Sequence, residues 1–174
     1  HLVPFGEYVP FRSWIPFLDI IAGPADFVAG TQNHLIAVPG IGQVQTLICY
    51  EVIFAGHVVA PRLRPDLMVN VTNDAWFGAT IGPWQHLYQS QMRAVEEGIP
   101  LLRVANTGIS AAFDGFGRQL GSIPLGERAY LDIAIPSVLT APVFARFSNA
   151  VFFALCSGVC SVAWSLYRRE KQKA

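Results

Sequence analysis

The feature that most constrains the fold of this chain is a stretch of 21 residues, 147–167, that contains no charged side chain. As an α-helix it would reach about 31 Å, close to the thickness of the hydrocarbon core of a bilayer. Trp164 and Tyr167 stand near its end, as aromatic residues do at membrane interfaces. The sequence therefore predicts a transmembrane helix over 147–167; the alternative is a buried C-terminal helix.

The segment that follows is basic. Residues 168–174 contain Arg168, Arg169, Lys171 and Lys173 with a single glutamate. Segments rich in lysine and arginine stay on the cytoplasmic side of a membrane. We therefore expect 168–174 to be a cytoplasmic tail, and 1–146 to form a domain on the opposite side.

The composition excludes several classes of protein. The chain is 52% apolar and only 14% charged, whereas about a quarter of the residues in soluble domains are charged. Its formal net charge of +0 gives no electrostatic basis for binding nucleic acid. Three cysteines do not make a disulfide framework. The histidines show no paired metal-ligand spacing, so we predict no metal. We also predict no cofactor. Nothing in the sequence requires more than one copy of the chain, so we expect a monomer.

Residues 1–146 show alternating strand and helix patterns. Strands are predicted at 43–50, 66–72, 101–105, 110–114 and 129–135, and helices at 52–64 and 83–97. A turn at 114–117 would lead into a hairpin return. Alternation of this kind indicates an α/β domain.

Cys49 is the strongest candidate for a catalytic residue. It ends a predicted strand and precedes a predicted helix, whose free N–H groups could stabilise a thiolate. A buried cysteine with only a structural role is the alternative. Its sequence context, Ile48-Cys49-Tyr50-Glu51, favours the catalytic interpretation.

Five segments carry a specific resemblance. They are 1–10 (HLVPFGEYVP), 48–51 (ICYE), 73–78 (NDAWFG), 82–86 (GPWQH) and 106–110 (NTGIS). In this order they resemble the signature segments of the apolipoprotein N-acyltransferases, a family of the nitrilase (carbon–nitrogen hydrolase) superfamily. The resemblance implies that 1–146 is the C-terminal part of a nitrilase-like α-β-β-α sandwich, followed by one transmembrane helix. It also implies that residue 1 is internal to a longer protein.

The resemblance further implies an activity. Cys49 would take an acyl chain from a phospholipid as a thioester. It would then pass the chain to the N-terminal amine of a diacylglyceryl-cysteine apolipoprotein, on the periplasmic side of a bacterial inner membrane. The family uses a Glu-Lys-Cys set, and its glutamate and lysine are expected upstream of residue 1. Since the only lysines here are Lys171 and Lys173, the chain does not complete that set.

Five other residues are candidates for the site. The resemblance implies that Glu7 supports the site beside the cysteine, unless it is a solvated loop residue. Glu51, two residues after Cys49, would support the site or cap the following helix. Tyr50 would help to bind substrate, with its backbone N–H stabilising the oxyanion, unless its side chain is an ordinary apolar residue. Trp76 and Phe77 would line an acyl-chain pocket or meet lipid, unless they are ordinary core residues.

Two other functions remain open at this stage. A soluble nitrilase-type amidase would use the same cysteine to hydrolyse small amides, but it would lack the apolar stretch at 147–167. A catalytically inactive, membrane-tethered binding domain would lack the upstream glutamate and lysine. The sequence upstream of residue 1 therefore distinguishes these alternatives.

Overall fold

The computed structural model describes residues 7–8, 27–28, 35–60 and 63–171. Their strands are β1 (Leu35–Val38), β2 (Gly42–Ile48), β3 (Leu67–Asn73), β4 (Leu101–Asn106), β5 (Ser110–Phe113) and β6 (Gln119–Ile123). Their α-helices are α1 (Gly82–Glu97), α2 (Val143–Phe147) and α3 (Ala150–Lys171). Two short 3-10 helices, Cys49–Ile53 and Asp74–Phe77, begin directly after β2 and β3.

The strands form one mixed sheet in the order β1-β2-β3-β4-β5-β6. Its centre, β2-β3-β4, is parallel, and the other three pairings are antiparallel. Because parallel strands run in the same direction, the carboxyl ends of β2, β3 and β4 meet at one edge. Cys49 and Asp74 follow two of these ends directly, so the topology brings two motifs together. The predicted α/β fold is confirmed.

Helix α1 covers one face of the sheet. Pro83 occupies its first turn, where the missing N–H costs nothing, and Gly98 ends it with a φ of 64°. The predicted helix at 83–97 is thus confirmed. Leu87 and Ala94 lie on the buried side of α1, and burying a side chain such as Leu87 stabilises the fold by about 1.5–3 kcal/mol. The core beneath α1 includes Leu47, Met68, Ile99, Leu101 and Phe113.

The opposite face of the sheet is only partly covered. The register places Ile48, Val71 and Val104 side by side on three neighbouring strands, and their exposed fractions are 63%, 47% and 58%. Residues 124–142 have no regular secondary structure, and within them Leu131 lies over this face farther along, where it approaches Gly121. A row of exposed apolar side chains on a sheet is typical of a face that packs against a second layer.

Two predicted elements are wrong. No α-helix forms in the described part of 52–64: the 3-10 helix ends at Ile53, and Gly56 then has a φ of 74°. Val58 and Val59 are nevertheless buried, so packing rather than helix formation fixes this connection. The predicted strand at 129–135 is also absent, because that segment pairs with none of the described strands. The hairpin return predicted after the turn is confirmed as β6.

Helix α3 stands apart from the sheet. Its segment Ala150–Arg169 has a mean hydropathy of 1.7, and none of it is buried within the structure. By length and composition it is the one helix in the described part of the chain that could cross a membrane. It begins three residues after the predicted start, since α2 ends at Phe147 and Ser148 breaks the helix with a φ of 48°.

Candidate active site

Cys49 lies on a strained turn at the carboxyl end of β2. Its φ of 51° is in the left-handed region, which non-glycine residues rarely adopt. Its side chain is half-buried, and it follows Leu47 by two residues, on the face of the sheet that α1 covers. Strained backbone of this kind costs about 1–3 kcal/mol and is concentrated at functional sites. The strained turn therefore places the half-buried thiol of Cys49 at the carboxyl edge of the parallel strands.

Polar side chains hold this turn in place. The carboxylate of Glu51 accepts a hydrogen bond from the backbone N–H of Ile48, with an N···O distance of 2.6 Å. The side-chain amide of Asn70 donates to the carbonyl oxygens of Leu47, at 3.2 Å, and of Cys49, at 3.1 Å. Glu51 thus caps the 3-10 helix, which is one of the two roles expected of it. These three hydrogen bonds hold the backbone of the turn that carries the thiol.

Thr72 faces the thiol from the neighbouring strand. Its Oγ1 lies 3.4 Å from Sγ of Cys49 and 3.1 Å from Oδ1 of Asp74. A hydroxyl group carries a single hydrogen, so Thr72 can donate to one of these acceptors at a time. Thr72 therefore connects the candidate nucleophile to a set of buried charged residues.

That buried set centres on an ion pair. Nη2 of Arg103 lies 2.6 Å from Oδ2 of Asp74, and Nδ1 of His86 lies 3.0 Å from Oδ1. Nη1 of Arg103 donates to Oδ1 of Asn70 at 2.7 Å and to Oγ of Ser90 at 3.1 Å. None of these five residues is more than 2% exposed. The charge of each ion is thus balanced inside the domain, as buried charges require.

The electrostatics of the pair follow from burial and mutual attraction. Burial alone would raise the pKa of Asp74, but the hydrogen bond with His86 and the charge of Arg103 hold it below its usual value. Burial lowers the pKa of the Arg103 guanidinium, and the charge of Asp74 acts in the opposite direction. Asp74 is therefore ionised at neutral pH.

The loop at 106–110 closes over this ion pair. A side chain at Gly108 would collide with the carboxylate of Asp74, so this position requires glycine. Asn106 donates a hydrogen bond to the side chain of Asn73 at 3.3 Å. Two of the segments on which the resemblance rests, 73–78 and 106–110, thus meet at the same buried group.

An aromatic cluster lies beside the thiol turn. The ring of Tyr50 is 5.3 Å from that of His86 and 6.4 Å from that of Phe77, measured between centroids. Phe77 meets His86 edge-on at 5.6 Å and is half-buried, whereas Trp76 is 86% exposed. The structure therefore separates the predicted pair: Phe77 packs inward and Trp76 points outward.

Glu7 is the remaining expected site residue, near the start of the chain. It is half-buried in a turn, and its backbone carbonyl accepts a hydrogen bond from the N–H of Phe27 at 2.8 Å. Its role beside Cys49 stays a prediction. Over the described ranges, no group of three or more His, Cys, Asp or Glu side chains could hold a metal ion.

Four residues of the candidate site were not predicted from the sequence: Thr72, Asp74, His86 and Arg103. One signal was available: Arg103 is a charged residue within an apolar strand, LLRVAN. A buried arginine requires a carboxylate partner, and Asp74 lies inside one of the recognised segments.

Comparison with known proteins agrees with the resemblance carried by the five segments. Residues 1–143 match a family model described as carbon-nitrogen hydrolase. The chain is 44% identical over 152 residues to the apolipoprotein N-acyltransferase of Bradyrhizobium diazoefficiens, covering 86% of the chain and 28% of that protein. It is 41% identical over 177 residues to that of Brucella melitensis, covering 98% of the chain and 33% of the relative. The chain thus spans about a third or less of these relatives' lengths.

One solved structure shows the same fold. A carbon-nitrogen hydrolase from Helicobacter pylori G27 superposes with a TM-score of 0.50 at 11% identity, covering 59% of this chain and 43% of the other. The mixed six-stranded sheet is therefore part of a nitrilase-like fold. At this identity the likeness speaks for the fold alone.

Proposed function

Because this chain belongs to the carbon–nitrogen hydrolase family and is homologous to the apolipoprotein N-acyltransferases, we propose that it is the nucleophile-bearing part of an N-acyltransferase. The observation that carries this proposal is the position of Cys49. It combines a strained turn, a half-buried thiol and a hydroxyl donor 3.4 Å away, within a segment shared with that family.

The proposed reaction has two steps. In the first, the thiolate of Cys49 attacks the ester carbonyl of a phospholipid; a thioester forms and the lysophospholipid leaves with a proton. In the second, the N-terminal amine of a diacylglyceryl-cysteine apolipoprotein attacks the thioester, so that an amide forms and the thiolate is regenerated. A base must remove the proton of the amine. The family's glutamate and lysine would act here, with Glu7 and Glu51 as supporting residues.

Substrate binding is assigned to the aromatic residues around the turn. Tyr50 would contact the acyl group and stabilise the oxyanion through its backbone N–H. Phe77 would line the acyl-chain pocket beside Tyr50, and Trp76, which is 86% exposed, would meet lipid. No cofactor takes part in this scheme.

The proposed location is a bacterial inner membrane. Residues 1–146 would form part of the catalytic domain on the periplasmic side, 147–167 the membrane span and 168–174 the cytoplasmic tail. Two contacts in α3 support an interface at this end of the span: Arg168 lies over the Trp164 ring at 5.4 Å, and Lys171 lies over the Tyr167 ring at 5.5 Å. Cations paired with aromatic rings suit the boundary between lipid and water.

The test is to trap the acyl-enzyme. Protein expressed from its complete gene is mixed in detergent with a phospholipid of defined acyl chains, and its peptides are weighed by mass spectrometry. The Cys49 peptide should gain one acyl chain, and the Cys49→Ala variant should gain none there. A synthetic diacylated lipopeptide with a free N-terminal amine should then remove the acyl group and gain its mass. Acylation at Cys156 or Cys160 instead would overturn the proposal. Release of ammonia from small amides without acylation by lipid would identify an amidase.

A further inference from the structure

The hydroxyl group of Thr72 lies between two acceptors, of which one, the sulfur of Cys49, changes during the proposed reaction. Oγ1 of Thr72 is 3.4 Å from Sγ of Cys49 and 3.1 Å from Oδ1 of Asp74, and the residue is 8% exposed. Within the described ranges, Thr72 provides the hydrogen bond donor recorded at this sulfur. We propose that Thr72 is a positioning residue that stabilises the Cys49 thiolate and turns to Asp74 when the sulfur is acylated.

The chemistry of the two sulfur forms explains why two acceptors are needed. A thiolate is a strong, charged acceptor, and a hydrogen bond to it stabilises the charge. A thioester sulfur is neutral and accepts weakly. A buried hydroxyl group that loses its partner is costly, because no water replaces the bond. With Asp74 at 3.1 Å, the hydroxyl group of Thr72 keeps a hydrogen bond in both forms.

Asp74 does not depend on the hydrogen bond from Thr72, because other donors also contact its carboxylate. Oδ2 receives Nη2 of Arg103 at 2.6 Å. An ionised carboxylate only accepts, so Nδ1 of His86, 3.0 Å from Oδ1, carries the hydrogen in that contact. Asp74 therefore stays hydrogen-bonded when the Thr72 hydroxyl group donates to Cys49, and Oδ1, which has two lone pairs, can accept from both His86 and Thr72 when the sulfur is acylated.

Other groups around the thiol set its charge environment and must be held constant in a test. Arg103 acts on Cys49 electrostatically from β4, and Asp74 offsets its charge. His86 faces the cluster from α1, and Glu51 lies in the thiol turn itself. Changing Thr72 alters none of these charges. A substitution at this position therefore removes the hydroxyl group, and with it the contacts to Cys49 and Asp74, without changing a charge.

The exchange of partners in the thioester rests on the proposed function, whereas the hydrogen bond to the Cys49 thiolate is tested without it. The rate of alkylation of Cys49 by iodoacetamide reports the thiolate directly. It is followed against pH in protein from the complete gene by mass spectrometry of the Cys49 peptide, so that alkylation of any other cysteine is not counted. Thr72→Val removes the hydroxyl group and keeps the shape. Its alkylation profile should move to higher pH by about one unit, since a hydrogen bond to a charged group has roughly that effect.

Two further variants make the outcome decisive. Thr72→Ser keeps the hydroxyl group and should return the profile to within about 0.3 pH units of the parent, less than a third of the shift that the hydrogen bond provides. Thr72→Ala tests the same loss if Thr72→Val does not fold. Unchanged profiles in the variants without the hydroxyl group overturn the proposal, whether or not the protein transfers acyl chains. An altered profile without acylation by phospholipid would overturn the acyltransferase function and leave the Thr72–Cys49 interaction standing.

The exchange of partners is tested by measuring acylation of Cys49 and attack of the amine as separate steps. If the hydroxyl group turns to Asp74 in the thioester, Thr72→Val should slow acylation of Cys49 about tenfold, as expected for a thiolate population lowered by one pH unit. Attack of the amine on a preformed thioester should change less than acylation does. An equal loss in both steps would overturn the exchange of partners.

Discussion

The guanidinium group of Arg103 donates to Oδ2 of Asp74 at 2.6 Å, and neither side chain has any exposed surface. Removing one member of such a pair leaves an uncompensated buried charge, which typically costs 3–5 kcal/mol.

Asp74→Asn should therefore lower the free energy of unfolding by about 3–5 kcal/mol, because Arg103 stays charged and buried. Thermal or chemical unfolding in detergent would measure it. Arg118→Gln is the matched control: it breaks the ion pair with Asp114, in which the Arg118 side chain is 73% exposed, and should cost no more than about 1 kcal/mol. Equal losses for the two variants would contradict the structure.

Glu97 should make stability depend on pH in the opposite sense from an ion-paired carboxylate. Burial raises the pKa of Glu97 above its ordinary 4.5, although Arg64 partly counteracts this. Because the folded state holds the proton more tightly than the unfolded state, stability falls as pH rises from about 4.5 through the folded pKa.

Glu97→Gln should thus raise the melting temperature at pH 7 and have little effect at pH 4. Each unit by which the pKa is raised corresponds to about 1.4 kcal/mol at neutral pH. The exposed Glu127 provides the control, and Glu127→Gln should give the same small change at both values. A destabilising Glu97→Gln at pH 7 would show that the carboxylate has a stabilising role.

The orientation of α3 can be tested with reporters. A reporter fused after Ala174 should show cytoplasmic character, and one inserted at Gly126, where the chain is exposed, should show periplasmic character. Val159→Arg should reduce membrane insertion by about 2.5–3.5 kcal/mol, because it puts a charge near the middle of the span. Val159→Leu should insert as the parent does. Two cytoplasmic reporters would rule out the proposed span.

Trp76 and Phe77 should respond differently to substitution. Trp76→Ser should leave stability within about 0.5 kcal/mol, as exposed positions do, yet slow acylation of Cys49 by phospholipid more than by a water-soluble acyl donor. Phe77→Ser should lower stability, because that ring packs against Tyr50 and His86. An equal loss of acylation with both donors in Trp76→Ser would argue against contact of Trp76 with lipid.

Local patterns were sufficient for much of the fold. Pro83 and Gly98 mark the ends of α1, and the apolar runs at 43–50 and 66–72 correspond to β2 and β3. The helix expected at 52–64 failed because helix propensity is a weak preference that packing overrides. There Gly56 adopts a positive φ, and Val58 and Val59 are buried without a helix. The strand expected at 129–135 failed because a β-prone segment also needs a neighbour with which to pair.

The sequence by itself determined that Cys49 ends a strand, and that an apolar helix follows the domain. Such features depend on residues close together in the chain, whose spacing is visible in the sequence. Only the tertiary structure decided that Thr72, Asp74, His86 and Arg103 meet beside Cys49. These residues come from β3, the turn after it, α1 and β4, and parallel pairing brings the ends of β2, β3 and β4 to one edge. Their contact depends on strand order and register, which no local pattern specifies, because the partners are separated by up to dozens of residues along the chain.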